Sequence, residues 1–560
     1  MFLPTTKQEL KKLGWNHLDI ILVTGDAYID SPFMGVSVIG KVLLDKGYRV
    51  GIIAQPAMDS DKDITRLGKP ALFWGITGGA IDSMVANYTA SKKRRKSDDY
   101  TPGGINDKRP DRAVIAYTNL VKKYFKSMSP IVLGGIEASL RRICHYDFWS
   151  NKLRRSILFD SKADYLVFGM GERTIVELAL CLKKKLDTSK IKGLGYISKT
   201  KIDDYIEIPS FEEVSKDKTK FIKSFNIFYQ NNDSINAQGL MQKHGTRYLV
   251  LNPVQPPLST MELDRVYNLE FKRDVHPYYK KDGDVKALAT IQFSIPAHRG
   301  CYGQCNFCAI SIHEGTTVTW RSEKSIVNEA EKLTKLQGFK GIIHDVGGPT
   351  ANMYGFECRK KIQKGICKDK RCLFPSVCKN LHPDHAPQTS LLAKLSAVKG
   401  VKKVFIASGI RHDMILKDKE HGHQYLLKLI ANHVSGQMKL APEHCERNVL
   451  QLMGKPDISH ILEFRKKFIK ITNQAKKPQF LTYYLIAAHP GCTIKDMQAL
   501  KIFSKKELKI NPRQVQIFTP TPSTYSTLMY YTGINPFTGD KIFVEKDLRR
   551  KEKQKKTIIA

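Results

Sequence analysis

His298-Arg299-Gly300-Cys301-Tyr302-Gly303-Gln304-Cys305-Asn306-Phe307-Cys308 sets three cysteines at C-x3-C-x2-C spacing, with an aromatic residue just before the last. Three thiolates on one tight, glycine-bearing loop can each ligate a different iron of a cubane, and this loop has no fourth cysteine. One iron is then left open, able to chelate the amino and carboxylate groups of a small molecule. Structural zinc, the competing use of such thiols, wants four ligands in tetrahedral geometry and usually paired C-x2-C elements. Only Cys305 and Cys308 form such a pair here. The loop follows an apolar run, Ala289 to Ile295. Further short runs come after it at Gly341 to Val346, Lys403 to Ala407, Gln437 to Leu440, Thr482 to Ala487 and Gln514 to Phe518. The segments between them are long enough for helices, so six β/α units predict a partial barrel. Its working face is expected at the carboxyl ends of the strands.

Upstream, the first 200 residues repeat a strand that stops at glycine. Asp19 to Thr24 ends at Gly25, Gly35 to Leu44 has helical periodicity, and Tyr48 to Ala54 is again strand-like. Pro130 to Leu133 runs into Gly134-Gly135, and Tyr165 to Phe168 into Gly169. A parallel sheet flanked by helices follows, with ligands expected where its strands end. The fold class expected is therefore α/β: a Rossmann-like parallel-sheet domain followed by a partial (β/α)6 barrel. The divisions predicted are a Rossmann-like domain over 1–200, a polar, proline-rich connecting region with some helix over 201–285, the barrel over 286–540 with a cysteine-rich insertion at 355–390, and a basic tail over 541–560.

Bulk properties narrow the class. A chain of 560 residues is too long for one core. Hydrophobic residues at 42% exclude wholesale disorder even with 26% charged. Met1 to Trp15 has no apolar stretch fit for a signal peptide, and no run of about 18 apolar residues could span a bilayer. The expectation is a cytoplasmic protein with no membrane partner. The formal net charge of +37 would suit a polyanion such as RNA or the ribosome. Lysine is spread along the whole chain, however, which a lysine-rich composition produces without any binding role. The dense run Arg549 to Lys556 reads as a solvated tail. A basic RNA- or ribosome-binding protein whose cysteines hold structural metal is the alternative to an enzyme.

Eleven cysteines without an export signal argue for thiols or metal ligands rather than disulfides. Beyond the loop, Cys358, Cys367, Cys372 and Cys378 fall in the lysine-rich insertion together with His382 and His385. They are a candidate second metal site, iron–sulfur ahead of zinc.

The cysteine loop resembles the signature of the radical S-adenosylmethionine (SAM) superfamily, and the order of features along nearly the whole chain is similar to its YgiQ-like subfamily. The resemblance implies a [4Fe–4S] cluster on Cys301, Cys305 and Cys308, with SAM on the open iron. It implies reductive cleavage to a 5′-deoxyadenosyl radical that acts on a substrate, and an electron donor such as flavodoxin or ferredoxin. Several cofactor-binding positions carry over: Phe307 in the loop, Gly347 and Gly348 in the glycine-rich turn after the second strand, Ser408 and Arg411 after the third, and Lys439 on the fourth. The usual acidic third residue of the glycine turn is Pro349 here. Arg411 or Lys439 could pair with the carboxylate of SAM, the arginine through a bidentate fork. His298, His412, His444 and His489 fall at or near strand ends, where proton donation or substrate contact is open to them; no residue is assigned as catalytic. The N-terminal sheet resembles a cobalamin-binding domain, yet Asp26-Ala27-Tyr28 sets tyrosine where the cobalt-ligating histidine would stand. Either the cofactor is lost or it binds without that ligand. We read loss, leaving a docking or substrate platform.

Overall fold

A computed structural model of the protein describes residues 1–126 and 129–559. The chain forms two compact units, Met1–Pro257 with Arg265–Gln292, and Leu258–Asp264 with Phe293–Ala560.

The first unit is built on a nine-stranded sheet. In chain order its strands are β1 (Ile20–Thr24), β2 (Val50–Ala54), β3 (Phe73–Thr77), β4 (Ile131–Gly134), β5 (Tyr165–Val167), β6 (Leu194–Ser198), β7 (Ile206–Ile208), β8 (Leu240–His244) and β9 (Arg247–Leu251). They lie in the order β7-β8-β9-β6-β5-β4-β3-β1-β2. The five strands from β2 to β5 across the sheet run parallel. β1 and β2 are buried along their whole length, which explains their unbroken apolar runs: helices cover both faces, so neither face needs polar side chains. Central β3 was not anticipated. Gly75 interrupts its pattern, and the structure needs that gap, since a Cβ there would lie 2.6 Å from the Leu22 methyl.

Residues 201–285, expected to be a connecting region with some helix, hold the helices Phe211–Lys216 and Lys218–Gln230 but also extend the sheet through β7, β8 and β9. The hairpin of β8 and β9 turns at Gly245, with His244 facing Arg247. Strands near a sheet edge carry exposed charges such as Lys243 and Arg247, so their composition reads as polar.

In the second unit the strands that pair in parallel are β10 (Ile295–Pro296), β11 (Ile342–Ile343), β12 (Val346–Gly347), β13 (Lys403–Val404), β14 (Gln437–Glu443), β15 (Phe480–Ala487) and β16 (Gln516–Ile517). β10 pairs with β12, β11 with β13, Ile410 bridges to Leu440, β14 pairs with β15 and β15 with β16, all parallel. With β11 and β12 as two pieces of one strand, these are six β/α units side by side in chain order, as the partial barrel requires. Ile295, Ile343, Val404 and Leu440 from the strands meet Ile326, Leu391 and Phe464 from the helices in one core.

Two expectations change. The first barrel strand is not Ala289 to Ile295: Lys286–Ile291 is helical and packs Ala287, Leu288 and Ile291 on the core of the first unit. One-sided packing overrides the strand-like run, and the barrel begins at Phe293 rather than 286. The expected solvated tail holds a helix, Leu548–Ile559, with Lys551, Gln554 and Ile558 buried. Among the described residues no helix is long and apolar enough to cross a membrane.

Candidate functional site

The cysteine loop leaves the end of β10 and is held on both sides. His298-Arg299 pair antiparallel with Thr319-Trp320. Gly300 then turns the chain at φ +84, with the Thr317 carbonyl only 2.2 Å from where a Cβ would stand. Only glycine satisfies both conditions. Further on, the Asn306 N–H donates to Met453 O at 2.8 Å and its side-chain amide to Leu452 O at 2.9 Å, while Arg371 donates to its Oδ1 at 2.7 Å.

The loop wraps a small cradle. A Cβ on Gly303 would meet Cys301 Sγ at 3.2 Å, Cys305 Sγ at 3.6 Å and Arg411 Nη1 at 3.6 Å, so two thiols and one cation face a single point. The Gly303 N–H lies 3.4 Å from Cys301 Sγ and the Thr350 hydroxyl 3.7 Å. The Cys308 N–H donates to Cys305 O at 3.0 Å, which turns the third thiol back toward the others. Burial pushes the Cys301 and Cys308 thiols up, and neighbouring cysteines add to it. A metal would displace their protons. Structural zinc wants four protein ligands, whereas three thiolates on one loop leave one iron of a cubane open. The donor set fits the cluster.

Behind the cradle lies a buried charge network that the sequence reading covered only in part. The Arg411 fork is taken by Asp413, Nε donating to Oδ1 at 2.8 Å and Nη2 to Oδ2. That corrects the expectation that this fork is open to a ligand carboxylate: Nη1, on the loop side, is what it offers. Arg411 holds the Asp413 carboxyl far below the usual range against its burial. Glu443, at φ +68, pairs with Lys455 at 3.6 Å, both buried. Burial raises the Glu443 carboxyl and Lys455 opposes it. Asp413 and Glu443 adjoin His412 and His444 in sequence, but only the fold reveals their pairing. Asp345 was missed: its carboxylate accepts from the Ala407 N–H at 2.8 Å and from the Ser408 hydroxyl.

The remaining predicted positions lie on the same strand ends. Gly347 extends β12, and its carbonyl accepts from Ala297 N–H at 2.7 Å. Gly348 is pressed against His298, with a Cβ falling 2.6 Å from the ring nitrogen. Its smallness therefore serves packing of the turn on the loop. Lys439 on β14 offers its carbonyl to the Ile410 N–H at 3.0 Å. Phe307 packs on the core of Val449, Met453 and Leu485, edge-on to His489 at 6.4 Å. Burial holds His298 and His444 down at about 4 and His412 and His489 at about 3. All four are neutral at neutral pH and poorly suited to donate as imidazolium. Cys358, Cys367, Cys372 and Cys378 line one pocket next to Gln304 of the loop.

In the first unit, the position of a cobalt-ligating histidine belongs to Tyr28, fully buried, its hydroxyl accepting from Leu3 N–H at 2.9 Å and its ring stacked on His276 at 5.3 Å. Past the ends of β1 and β3, Arg109 binds Asp26 at 2.8 Å and Asp98 at 2.9 Å, and Arg141 pairs with Asp82. These residues offer no cobalt ligand at that position.

A three-cysteine loop at the end of the first of six parallel β/α units, preceded by a Rossmann-like unit, defines a radical SAM enzyme. The family model described as Radical SAM N-terminal matches residues 2–294. A UPF0313 protein of Fusobacterium nucleatum is 56% identical over 555 residues, 99% of this chain and 98% of its own length. One from Thermotoga neapolitana is 50% identical, covering 100% of this chain and 98% of its own. The chain belongs to the UPF0313 family within the radical SAM superfamily. In fold it is similar to TsrM from Kitasatospora setae, a radical SAM methyltransferase solved with cobalamin and a [4Fe–4S] cluster. The TM-score is 0.52 at 14% identity, covering 90% of this chain and 76% of that one.

Proposed function

We propose that Cys301, Cys305 and Cys308 hold a [4Fe–4S] cluster and that its open iron takes SAM. The observation that carries this is the cradle at Gly303, where two of the thiols and a buried guanidinium converge on one point. When bound, the cluster supplies the electron that cleaves SAM to methionine and a 5′-deoxyadenosyl radical, which acts on the substrate. The chain's own residues position and shield. Arg411 Nη1 sets a positive charge beside the sulfurs, fixed by Asp413 so that it does not swing into the cofactor's space. The main chain at Gly347-Gly348 and the side chains of Phe307, Ser408 and Lys439 are assigned to the SAM pocket. Phe307 excludes water beside the third cysteine. The neutral histidines around the site add no charge to it.

The N-terminal sheet works without cobalamin in this reading, because Tyr28 is a core residue and ion pairs occupy the ends of its strands. We assign it to docking or substrate binding, in a cytoplasmic enzyme served by a flavodoxin- or ferredoxin-like donor. The test is anaerobic reconstitution followed by SAM and a strong reductant, with 5′-deoxyadenosine read by mass spectrometry. Wild type is expected to form it and Cys305→Ala to form none. Equal yields from both would rule out this cluster as the source.

A further inference from the structure

Cys358, Cys367, Cys372 and Cys378 belong to a stretch that nothing regular holds together. After the short helix Arg359–Lys364, the chain runs from Gly365 to His385 with neither helix nor strand. Irregular segments of that length inside a compact domain are uncommon and need something to order them. Little apolar matter does so here: Leu373 and Leu381 are buried, while Lys368, Asp369 and Lys370 are exposed. What the segment does bring together is sulfur. All four thiols line a single pocket. Three of them, Cys358, Cys372 and Cys378, share an apolar cluster with Tyr302. The Cys378 N–H donates to Cys372 O at 2.8 Å, which closes the last turn.

We propose that these four cysteines hold a second [4Fe–4S] cluster, closed by protein thiolates on every iron, which folds the segment against the first loop. Three features favour it over free thiols. First, all four sulfurs line one pocket, one for each iron of a cubane. Second, Lys370 and Arg371 line the same pocket and offset the charge that four thiolates bring. Lys361 also lines it, held by Glu357, its Nζ 2.8 Å from Glu357 Oε1 and 4.7 Å over the Tyr302 ring. Third, the segment is tied to the first loop, Arg371 donating to Gln304 O at 2.9 Å and to Asn306 Oδ1 at 2.7 Å. With no open iron, this site binds no SAM; its work is to hold Tyr302 to Asn306 in place. The assignment does not depend on the first cluster being present.

The experiment separates the two sites by variant in the full-length protein, prepared and reconstituted without oxygen. The triple variant Cys301→Ala, Cys305→Ala, Cys308→Ala leaves the four thiols intact. It is expected to keep about four irons and four sulfides per chain, against about eight irons in wild type. Its reduced electron-paramagnetic-resonance signal should not change on adding SAM. The double variant Cys367→Ala, Cys372→Ala is expected to fall to about four irons and to keep the far-ultraviolet circular dichroism of wild type, because the segment holds neither helix nor strand. A triple variant that holds no iron, or one zinc per chain in its place, overturns the proposal whether or not the double variant folds. Iron kept by the triple variant but absent from the double variant would instead sink the reading of the first loop and leave this one standing.

Discussion

At the scale of single residues, two glycines of similar backbone make opposite predictions. Gly300 and Gly315 both sit at positive φ, +84 and +92, which costs a side-chain-bearing residue about 1–2 kcal/mol. At Gly315 nothing lies within 4 Å of a new Cβ, whereas at Gly300 the Thr317 carbonyl stands 2.2 Å away and belongs to backbone. Gly315→Ala should therefore lose only the strain, a few degrees in Tm for a unit of this size. Gly300→Ala must also displace the loop from Thr317, so iron per chain should fall to less than half of wild type with a clearly larger drop in Tm. Iron assay and calorimetry on the two variants decide it; equal iron loading in both would show that the turn at Gly300 does not position the thiols. Sequence alone exposed the cysteines because ligand spacing is local. It did not expose Asp413 as the partner of Arg411, or Lys455 as that of Glu443, because burial and pairing are properties of the assembled strand ends.

At the scale of elements, the C-terminal helix Leu548–Ile559 shows how composition misleads. Arg549 to Lys556 reads as a solvated basic run, yet its spacing puts Lys551, Gln554 and Ile558 on one face and that face is buried. Lys551 donates to the Tyr530 hydroxyl at 2.9 Å with its Nζ 4.3 Å over the ring, so its stem packs while its charge is satisfied. Gln554 bridges the far end of β15: Oε1 accepts from the Ala488 N–H at 3.0 Å and Nε2 donates to Cys492 O at 3.1 Å. Gln554→Leu keeps the volume but strands both backbone groups. Each buried unsatisfied group costs about 1–3 kcal/mol, so the variant should lose several degrees of Tm. Lys556→Ala, on the exposed face, should lose nothing measurable. An unchanged Tm for Gln554→Leu would mean that the helix does not cap the strand end. The strands β1, β2, β4 and β5, with strong apolar runs, were legible, and β3, β6, β7, β8 and β9 were not. A glycine for close approach, or one exposed face, removes the periodicity that sequence reading depends on.

At the scale of the whole molecule, buried histidine sets the response to acid. His145 and His444 are held down at about 4, and His244, His412 and His489 at about 3, in each case chiefly by burial. An unfolded chain takes up these protons as pH falls through about 6.5, while the folded chain refuses them until about 4 or below. The stability they contribute is thus complete above about pH 7 and is lost progressively as pH falls toward 4. The net charge of +37 works in the same direction, since every added proton increases repulsion. Tm should be flat from pH 7 to 8 and fall steadily below 6.5. His244 isolates the effect. Its ring stacks on Phe159 at 4.4 Å and Phe211 at 5.6 Å, and among the described residues neither ring nitrogen has a hydrogen-bond partner. The site uses histidine as an aromatic ring, so His244→Phe sacrifices no hydrogen bond and removes one group that must charge on unfolding. The variant should match or exceed wild type at pH 7.5 and lose visibly less Tm between pH 6.5 and 5. Calorimetry across that range checks it, and parallel curves for the two proteins would show that His244 takes up its proton as readily folded as unfolded.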